Sequence, residues 1–475
     1  DGGAGRDVLR GGDGADRISV ETDGAPDRVF CGRGRDIVTA DEVDAARGAD
    51  CEVVTRRLSR DPFRGAPGQH ATQVEPDSQA WGSTVVTVFQ VGRNFSGGAM
   101  DIGFATSTDG LRWRSGRLPG VGVNSSPRGR AERVSDPVVA YDAAHAVWLV
   151  ATLAVSPGLT ELLVSRSADA RSWSAPVVAA TASAASLAYD KEWLTCDTWP
   201  TSPFRGRCYL SYTLVGRSAL ATQVSADGGL TWSTPVVVDP TPSREPFATG
   251  VQPVIQPDGA LVLVFLTDAA MASARSRDGG ATFEPVRMIA EQRARRVPGM
   301  RAPPLPSADV GADGTVYVAW HDCRLRRDCR ANEIVVATSA DGVRWSRPRR
   351  VRSGPRGASA DSFVPGLAVA GGDSPRREVA IVHYAMPTND CAFSSCRIDV
   401  WLARSSDGGR TWRSRQLNAR SMRLGWIADT NQGRMLADYV STSFVGGVPV
   451  AVFSLASPPA GRRFRQAIYA SRTRG

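Results

Sequence analysis

Ser107-Thr-Asp109-Gly-Leu-Arg-Trp113 is the first of six stretches built to one plan. The others are Ser167-Ala-Asp169-Ala-Arg-Ser-Trp173, Ser225-Ala-Asp227-Gly-Gly-Leu-Thr-Trp232, Ser276-Arg-Asp278-Gly-Gly-Ala-Thr-Phe283, Ser339-Ala-Asp341-Gly-Val-Arg-Trp345 and Ser405-Ser-Asp407-Gly-Gly-Arg-Thr-Trp412. Each reads as a tight β-hairpin turn that carries its own support. The Asp carboxylate accepts from backbone N–H groups just ahead of it, and Gly supplies a positive φ. The terminal aromatic folds back over the turn as an apolar plug.

Successive aspartates 109, 169, 227, 278, 341 and 407 lie 60, 58, 51, 63 and 66 residues apart. A period of this size, with strand-like residues between the turns, indicates repeated four-stranded sheets arranged radially. The pattern resembles the Asp box, or BNR repeat, of the sialidase superfamily. The resemblance covers roughly residues 70–475 and implies an all-β fold, a sialidase-like β-propeller. It extends weakly to function, because a fold does not fix a chemistry.

From residue 70 onward seven alternating-strand blocks can be marked, near 70–117, 130–178, 186–238, 248–288, 300–351, 360–416 and 430–472. Their core strands include Thr84-Val-Val-Thr-Val-Phe89, Val147-Trp-Leu-Val-Ala-Thr152 and Ala260-Leu-Val-Leu-Val-Phe265. The last block has neither an Asp box nor the strand that should follow one. A ring must close to remove its free edges. A segment from the N-terminal side, Cys51–Leu58, is therefore expected to supply that outer strand. Seven blades is the count, with six, as in sialidases proper, as the alternative.

Residues 2–10 (Gly-Gly-Ala-Gly-Arg-Asp7-Val-Leu-Arg) and 11–19 (Gly-Gly-Asp-Gly-Ala-Asp16-Arg-Ile-Ser) both match G-G-x-G-x-D-x-U-x. Worn copies follow at Gly24-Ala-Pro-Asp27-Arg-Val and Cys31-Gly-Arg-Gly-Arg-Asp36-Ile-Val. This resembles the RTX calcium-binding nonapeptide, and implies a small parallel β-roll over 1–53 with Ca²⁺ held by Asp7, Asp16, Asp27 and Asp36. Alternate turns stack, which would pair Asp7 with Asp27 and Asp16 with Asp36. Residues 54–69, rich in Arg, Pro and Gly, read as a linker to the propeller of 70–475. Residue 1 falls inside a repeat, as in a mature or trimmed chain.

The eight cysteines fall into four close pairs: Cys31 with Cys51, Cys196 with Cys208, Cys323 with Cys329, and Cys391 with Cys396. Four local disulfides and an oxidising, extracellular setting are expected. Zinc spacing is missing, as is any apolar run long enough to span a membrane. The net charge of +9 is almost all arginine, Lys191 being the sole lysine. No groove with interleaved aromatics accompanies that charge, so nucleic acid is not an expected partner. A glycan or glycoconjugate is.

In Asp-box propellers the functional face lies opposite the boxes, at the starts of the innermost strands. The resemblance therefore points to Glu75, Asp136, Asp190 with Lys191, Arg301, Asp361, and Asp438 with Tyr439. The loops between second and third strands add Arg93, Asp322 and Arg324. Stretches such as Asp190-Lys-Glu-Trp-Leu-Thr-Cys-Asp197 and Leu436-Ala-Asp-Tyr-Val-Ser-Thr-Ser443 also resemble secreted actinobacterial BNR-repeat proteins. A sialidase would bring three arginines onto the sugar carboxylate, whose geometry suits the guanidinium fork. It would add a Tyr nucleophile and an acid/base Asp. Its Phe/Tyr-Arg-Ile-Pro motif is not present; Phe63-Arg-Gly-Ala-Pro67 is a poor echo.

A substitute assignment takes Arg301, Arg324 and either Arg93 or Arg434 as the triad. Tyr439 is then the nucleophile, Glu75 its base, and Asp136 or Asp190 the acid. Two-carboxylate hydrolysis by a pair among Asp136, Asp190, Asp361 and Asp438 is the competing chemistry. A non-catalytic extracellular propeller that binds glycans or proteins is the competing function.

Overall fold

The computed structural model describes residues 1–20, 24–46, 51–183, 188–217, 219–238, 247–370 and 377–473. Among them the chain is all-β apart from three single-turn 3₁₀ segments, and no helix is long and apolar enough to cross a membrane. Seven antiparallel sheets follow one another in sequence. Six of them are complete within one stretch of chain. Sheet one is Gln73–Trp81, Thr84–Arg93, Ala99–Ser107 and Arg114–Arg117. The first strands of the next five are Arg133–Asp142, Tyr189–Cys196, Ala248–Ile255, Ser307–Val310 and Asp361–Val369. Each is followed by three more strands in simple up-and-down order.

Sheet seven contains Ser441–Val445, Val448–Ala460 and Arg463–Thr473. Its fourth strand comes from the other end of the chain: Val53–Arg57 pairs antiparallel with Arg463–Thr473, from Val53↔Thr473 to Arg57↔Tyr469. Leu58 N–H extends this pairing to Ile468 O at 2.7 Å. The boundary placed at 53/54 thus runs through a strand, and residues 54–57 are sheet rather than linker. Without this strand the last sheet would present an unpaired edge, open to pairing with another chain.

The first strands of sheets one to seven touch in chain order, and that of sheet seven returns to that of sheet one. Side chains bridge these inner edges. Asp77 Oδ2 accepts from Val139 N at 2.9 Å, Gln252 Oε1 from Ala308 N at 2.7 Å, and Asp309 Oδ2 from Val369 N at 2.7 Å. Ser441 Oγ accepts from Ser78 N at 3.0 Å and joins the seventh sheet to the first. Backbone donors that the inward edge would leave orphaned are satisfied in this way.

Seven apolar clusters lie between consecutive sheets. Val86, Ile102 and Phe104 meet Trp148 and Val150 between sheets one and two. Val85, Phe89 and Val91 meet Val450, Val452 and Ile468 between sheets seven and one. The alternating strands read from the sequence bury both faces because each sheet has a neighbour on either side.

Each Asp box joins the third and fourth strands of its sheet and forms the expected turn. Asp169 Oδ1 accepts from Arg171 N at 2.8 Å and Ser172 N at 2.7 Å. Asp407 Oδ1 does the same for Arg410 N at 3.0 Å and Thr411 N at 2.9 Å. The aromatic has a larger part than covering its own turn. Trp113, Trp173, Trp232, Phe283, Trp345 and Trp412 each pack into the cluster shared with the preceding sheet. Trp345 also donates from Nε1 to Ser273 Oγ, one sheet back, at 3.0 Å.

The N-terminal segment forms two parallel ladders. Val8–Gly14 pairs with Arg28–Gly34 and that with Ala45–Ala46; Arg17–Val20 pairs with Ile37–Ala40 and that with Val53–Arg57. Val8↔Arg28 and Arg17↔Ile37 place Asp7 on Asp27 and Asp16 on Asp36. The coils approach so closely that a Cβ on Gly34, at φ 151°, would stand 1.4 Å from Gly14 O. Only glycine fits such a contact.

All four cysteine pairs are disulfides. Cys31 joins Cys51 across the N-terminal ladders. Cys196 joins Cys208, the facing ends of the first two strands of sheet three. Cys323 joins Cys329, and Cys391 joins Cys396, each closing a loop between a second and a third strand. No cysteine is left free among the described residues.

Trp345→Ala is expected to destabilise the protein by about 3 kcal/mol in urea titration, the low end for loss of a packed Trp. A loss under about 0.5 kcal/mol, the scale of an ordinary surface change, would show that the box aromatics do not hold the sheets together.

Candidate functional site

Five of the seven first strands carry the same irregularity. Register shifts fall between Val74 and Asp77, Ser135 and Val138, Asp190 and Trp193, Thr249 and Gln252, and Phe363 and Gly366. Within each lies a residue of positive φ: Glu75 (53°), Asp136 (45°), Lys191 (51°), Gly250 (63°) and Val364 (51°). Proline follows at 76, 137 and 365, where its missing N–H suits a bulge. Left-handed conformations are costly for residues with a Cβ, and they cluster where a side chain must be re-aimed. Three of these bulges present an ionisable side chain, and the three converge.

Lys191 Nζ lies 2.8 Å from Asp438 Oδ2, 2.9 Å from Asp136 Oδ1 and 3.3 Å from Glu75 Oε1. Arg301 grips Asp438 with both arms, Nε to Oδ1 at 3.0 Å and NH2 to Oδ2 at 2.5 Å. Gln90 Nε2 donates to Glu75 Oε2 and to Ser135 Oγ, the latter at 3.0 Å. Arg93, buried alongside, donates to the backbone oxygens of Asn94 and Asp429 and to Gln69 Oε1. Tyr439 donates to Pro137 O at 3.3 Å, stands edge-on to Trp193 at 5.3 Å, and has Lys191 Nζ 5.9 Å from its ring centre. Sheets one, two and three and the segments leading into sheets five and seven therefore meet at one cluster.

Burial and charge drive these groups apart. Desolvation pushes Glu75 up to about 8 despite Lys191, from which it is the most distant of the three carboxyls. Asp190, whose Oδ1 accepts from Lys191 N at 3.0 Å, is pushed up to about 6 by burial. Burial opposes ionisation of Asp438 too, yet Lys191 and Arg301 hold it well below the usual carboxylate range. Burial also disfavours the Lys191 charge, but Asp136, Asp438, Glu75 and Asp190 keep its pKa well above the ordinary value. Burial lowers Arg93 to about 10, and Arg301 beside it adds to the effect. Tyr439 is raised far above an ordinary phenol by burial and by the carboxyls of Glu75, Asp136, Glu192 and Asp77. A weak acid and a fixed anion side by side are what proton transfer requires.

The other sequence-derived candidates lie in separate constellations. Arg324 NH2 pairs with Asp322 Oδ2 at 2.6 Å, and Trp320 Nε1 donates to the same oxygen at 3.0 Å. These bonds brace the loop closed by Cys323 and Cys329. Asp361 accepts from Asn332 N at 2.8 Å and Asn389 Nδ2 at 3.3 Å, and so ties two loops together. Asn389 stands at the head of the loop that Cys391 and Cys396 close. Arg434 stacks on Phe393, inside that loop, at 4.6 Å and donates to Ile427 O.

Glu192 is the residue that sequence reasoning passed over. It is 1 % exposed, and neither carboxyl oxygen has a hydrogen-bond partner from another residue. Strand alternation gives no sign of it, because the bulge at 191 breaks the two-residue period just there.

The aspartates expected to hold calcium lie in the N-terminal ladders. Asp7 N donates to Asp27 Oδ1 at 2.7 Å and Asp16 N to Asp36 Oδ1 at 2.8 Å. The Oδ2 atoms of Asp7, Asp16 and Asp36 are buried without partners. Among the described residues no three His, Cys, Asp or Glu side chains are grouped as a metal cage would need.

No protein-family model matches the chain, and none of the curated proteins matches it. Several solved structures align with it at low identity. "Hadza microbial sialidase Hz136" is 18% identical, with 66% of this chain and 64% of that one aligned and a TM-score of 0.45. The alignment thus spans a little under two thirds of that sialidase. A protein of unknown function from Dyadobacter fermentans is 13% identical over 89% of this chain and all of its own, with a TM-score of 0.47. An α-L-arabinanase of Penicillium chrysogenum is 13% identical over 69% of this chain and 92% of its own, with a TM-score of 0.45.

The buried carboxyls fix a pH profile. Glu75 (about 8), Asp77 and Asp44 (each about 7) and Asp190 and Asp309 (each about 6) hold protons in the folded state that the unfolded chain releases near pH ~4. Their contribution is complete below pH ~4 and is lost as pH rises through about 6–8. The box aspartates work the other way: Asp169, Asp227 and Asp278 are depressed to about 2, so their share is present above pH ~4 and lost as pH falls through about 2. Calorimetric midpoints are expected to peak near pH ~4–5, with Glu75→Gln flattening the alkaline side. A peak near pH ~8 would contradict the assignment.

Proposed function

We propose that the ring of sheets is a seven-bladed, sialidase-like propeller acting outside the cell on glycans, with glycoside hydrolysis at the axial cluster. Four disulfides support the extracellular placement. The observation that carries the hydrolytic reading is the Lys191 clip. Asp136 Oδ1 and Glu75 Oε1 lie 2.9 and 3.3 Å from one nitrogen, so they are at most 6.2 Å apart. Carboxyl pairs about 5–5.5 Å apart serve retaining hydrolysis, and inverting pairs stand about 6.5–9.5 Å apart. The clip suits retention.

In this reading Glu75, protonated at neutral pH, gives its proton to the glycosidic oxygen as the C–O bond breaks. Asp136 forms an ester at the anomeric carbon. Water then cleaves the ester and returns a proton to Glu75. Lys191 and Asp438–Arg301 position the pair and fix the local charge. The sialidase variant of this chemistry is less well supported. Arg301 is engaged by Asp438, Arg324 by Asp322 and Arg93 by backbone oxygens, so none of these guanidinium forks is left for a sugar carboxylate. Tyr439 keeps its proton too firmly to be a nucleophile.

The test is a panel of fluorogenic neutral glycosides with a sialoside included. Turnover of a neutral glycoside with retained anomeric configuration is expected, falling about 10²–10⁴-fold in Glu75→Gln. Inversion would remove Asp136 as nucleophile. Absence of turnover across the panel favours the second reading, a non-catalytic glycan-binding propeller. That reading draws on the cluster's internal saturation: Lys191 already holds three carboxyl groups and its side chain is only 12% exposed.

We also propose that the N-terminal ladders bind Ca²⁺. The orphaned Oδ2 atoms of Asp7, Asp16 and Asp36 are hard donors of the kind calcium takes, with Asp27 stacked on Asp7. Bound calcium would supply positive charge that relieves these desolvated oxygens. A calorimetric midpoint that rises with Ca²⁺ and falls with chelator is expected, by about 2.7 kcal/mol at a hundredfold excess over Kd. Identical traces would refute the proposal.

A further inference from the structure

Beside the axial cluster lies a cleft lined by Lys191, Glu192, Trp193, Gln252, Leu305 and Tyr439. Its enclosed room is about 10 Å³, space for roughly one water-sized group. That suits one small polar group held inside, with any ring to which it belongs lying outside at the mouth. Two of its walls are aromatic: Trp193 and Tyr439 meet edge to face at 81°. Glu192 brings a buried carboxyl with no hydrogen-bond partner from another residue. Burying a polar group unsatisfied costs several kcal/mol at the upper end, and folds seldom keep one without a use.

Five carboxyls, Glu75, Asp136, Asp190, Glu192 and Asp438, face three cations, Arg93, Lys191 and Arg301. All three cations already have partners: Lys191 and Arg301 pair with the carboxylates, and Arg93 donates to the backbone oxygens of Asn94 and Asp429 and to Gln69 Oε1. An anionic ligand would find each of these three donors already engaged. A cationic one would meet the unpartnered Glu192 carboxyl and the indole of Trp193, both of which attract ammonium groups.

We propose that this cleft is a subsite for a small organic ammonium, specifically the free amino group of an amino sugar, with Glu192 as its counter-ion. The sugar part rests on the glycan-directed reading above; the ammonium part rests on the unpartnered Glu192 carboxyl beside Trp193 and on the cations around it being already engaged. The ammonium enters the cleft and donates to the Glu192 carboxylate, the ring packs on Trp193 at the mouth, and Gln252 is placed to meet a hydroxyl.

Titration calorimetry on the intact protein tests this without any need for turnover, so failure of the hydrolytic reading and failure of this one are separable. The probes are glucosamine, N-acetylglucosamine, glucose, ethanolamine and N-acetylneuraminate. Glucosamine is expected to bind more tightly than all the others. Glu192→Gln is expected to weaken it about tenfold or more, as loss of a charge-assisted hydrogen bond implies. The substitution removes no existing contact, and a thermal melt checks that the variant is folded. If it is not, the wild-type contrast between glucosamine and N-acetylglucosamine decides, because N-acetylation removes the charge. Equal binding of those two, or undiminished binding by folded Glu192→Gln, overturns the ammonium site. Ethanolamine binding as tightly as glucosamine overturns the sugar part.

Discussion

One ammonium group holds the centre of this molecule. Lys191 comes from the third sheet, and its partners Glu75 and Asp136 come from the first and second. Asp438 arrives on the segment that leads into the seventh. Asp438 has Arg301 as a second partner, but removal of the lysine would leave Asp136 without its cation and beside Glu75. Breaking a buried ion pair in that manner costs about 3–5 kcal/mol. Such pairs are seldom the most effective way to stabilise a protein, since apolar replacements often do as well. Their value here is positional: the strained residues Glu75 and Asp136 of two sheets point to one spot where the equally strained Lys191 of a third receives them.

Around that centre the sheets are joined by repetition of two small devices. At the inner edge, side chains such as Asp77, Gln252 and Asp309 accept the backbone donors of the following sheet. At the outer rim, each box aromatic enters the cluster shared with the preceding one. The box carboxylate stiffens the hairpin, so that its Trp is presented at a fixed angle. Polar bonds hold the inner circumference and apolar packing the outer one.

The boxes were fully legible in the sequence, because a local turn is encoded by adjacent residues. The cysteine pairing was legible for the same reason: Cys196 and Cys208, or Cys391 and Cys396, lie close along the chain and within reach across one hairpin or loop. The closing strand was legible as well, since a last sheet short of a strand, together with the rule that rings close, points to Cys51–Leu58. The linker reading failed at 54–57, where Arg and Thr share a strand with Val53 and Val54. Composition cannot distinguish a polar outer strand from a loop. At the site, Glu75, Asp136, Lys191 and Asp438 were picked out by their place at strand starts, and they do meet. Asp361 satisfied the same criterion, and Asp322 and Arg324 the rule for second-to-third loops. All three went to loop bracing, because distances between loops are set by the whole ring. Glu192 was invisible because a bulge suspends the alternation by which inward residues are recognised.

Val53–Arg57 belongs at once to the parallel N-terminal ladder and to the sheet that completes the circle. Its partner, Arg463–Thr473, follows some 420 positions later in the chain, as the pairing of Val53 with Thr473 measures. The earlier strand must therefore keep one edge unpaired until the later one is made. Closure is an event of very high contact order, and that edge stays open in the interim. The parallel coil beside it offers that waiting strand a provisional neighbour in Ile37–Ala40, and so works as a built-in holdfast during biogenesis.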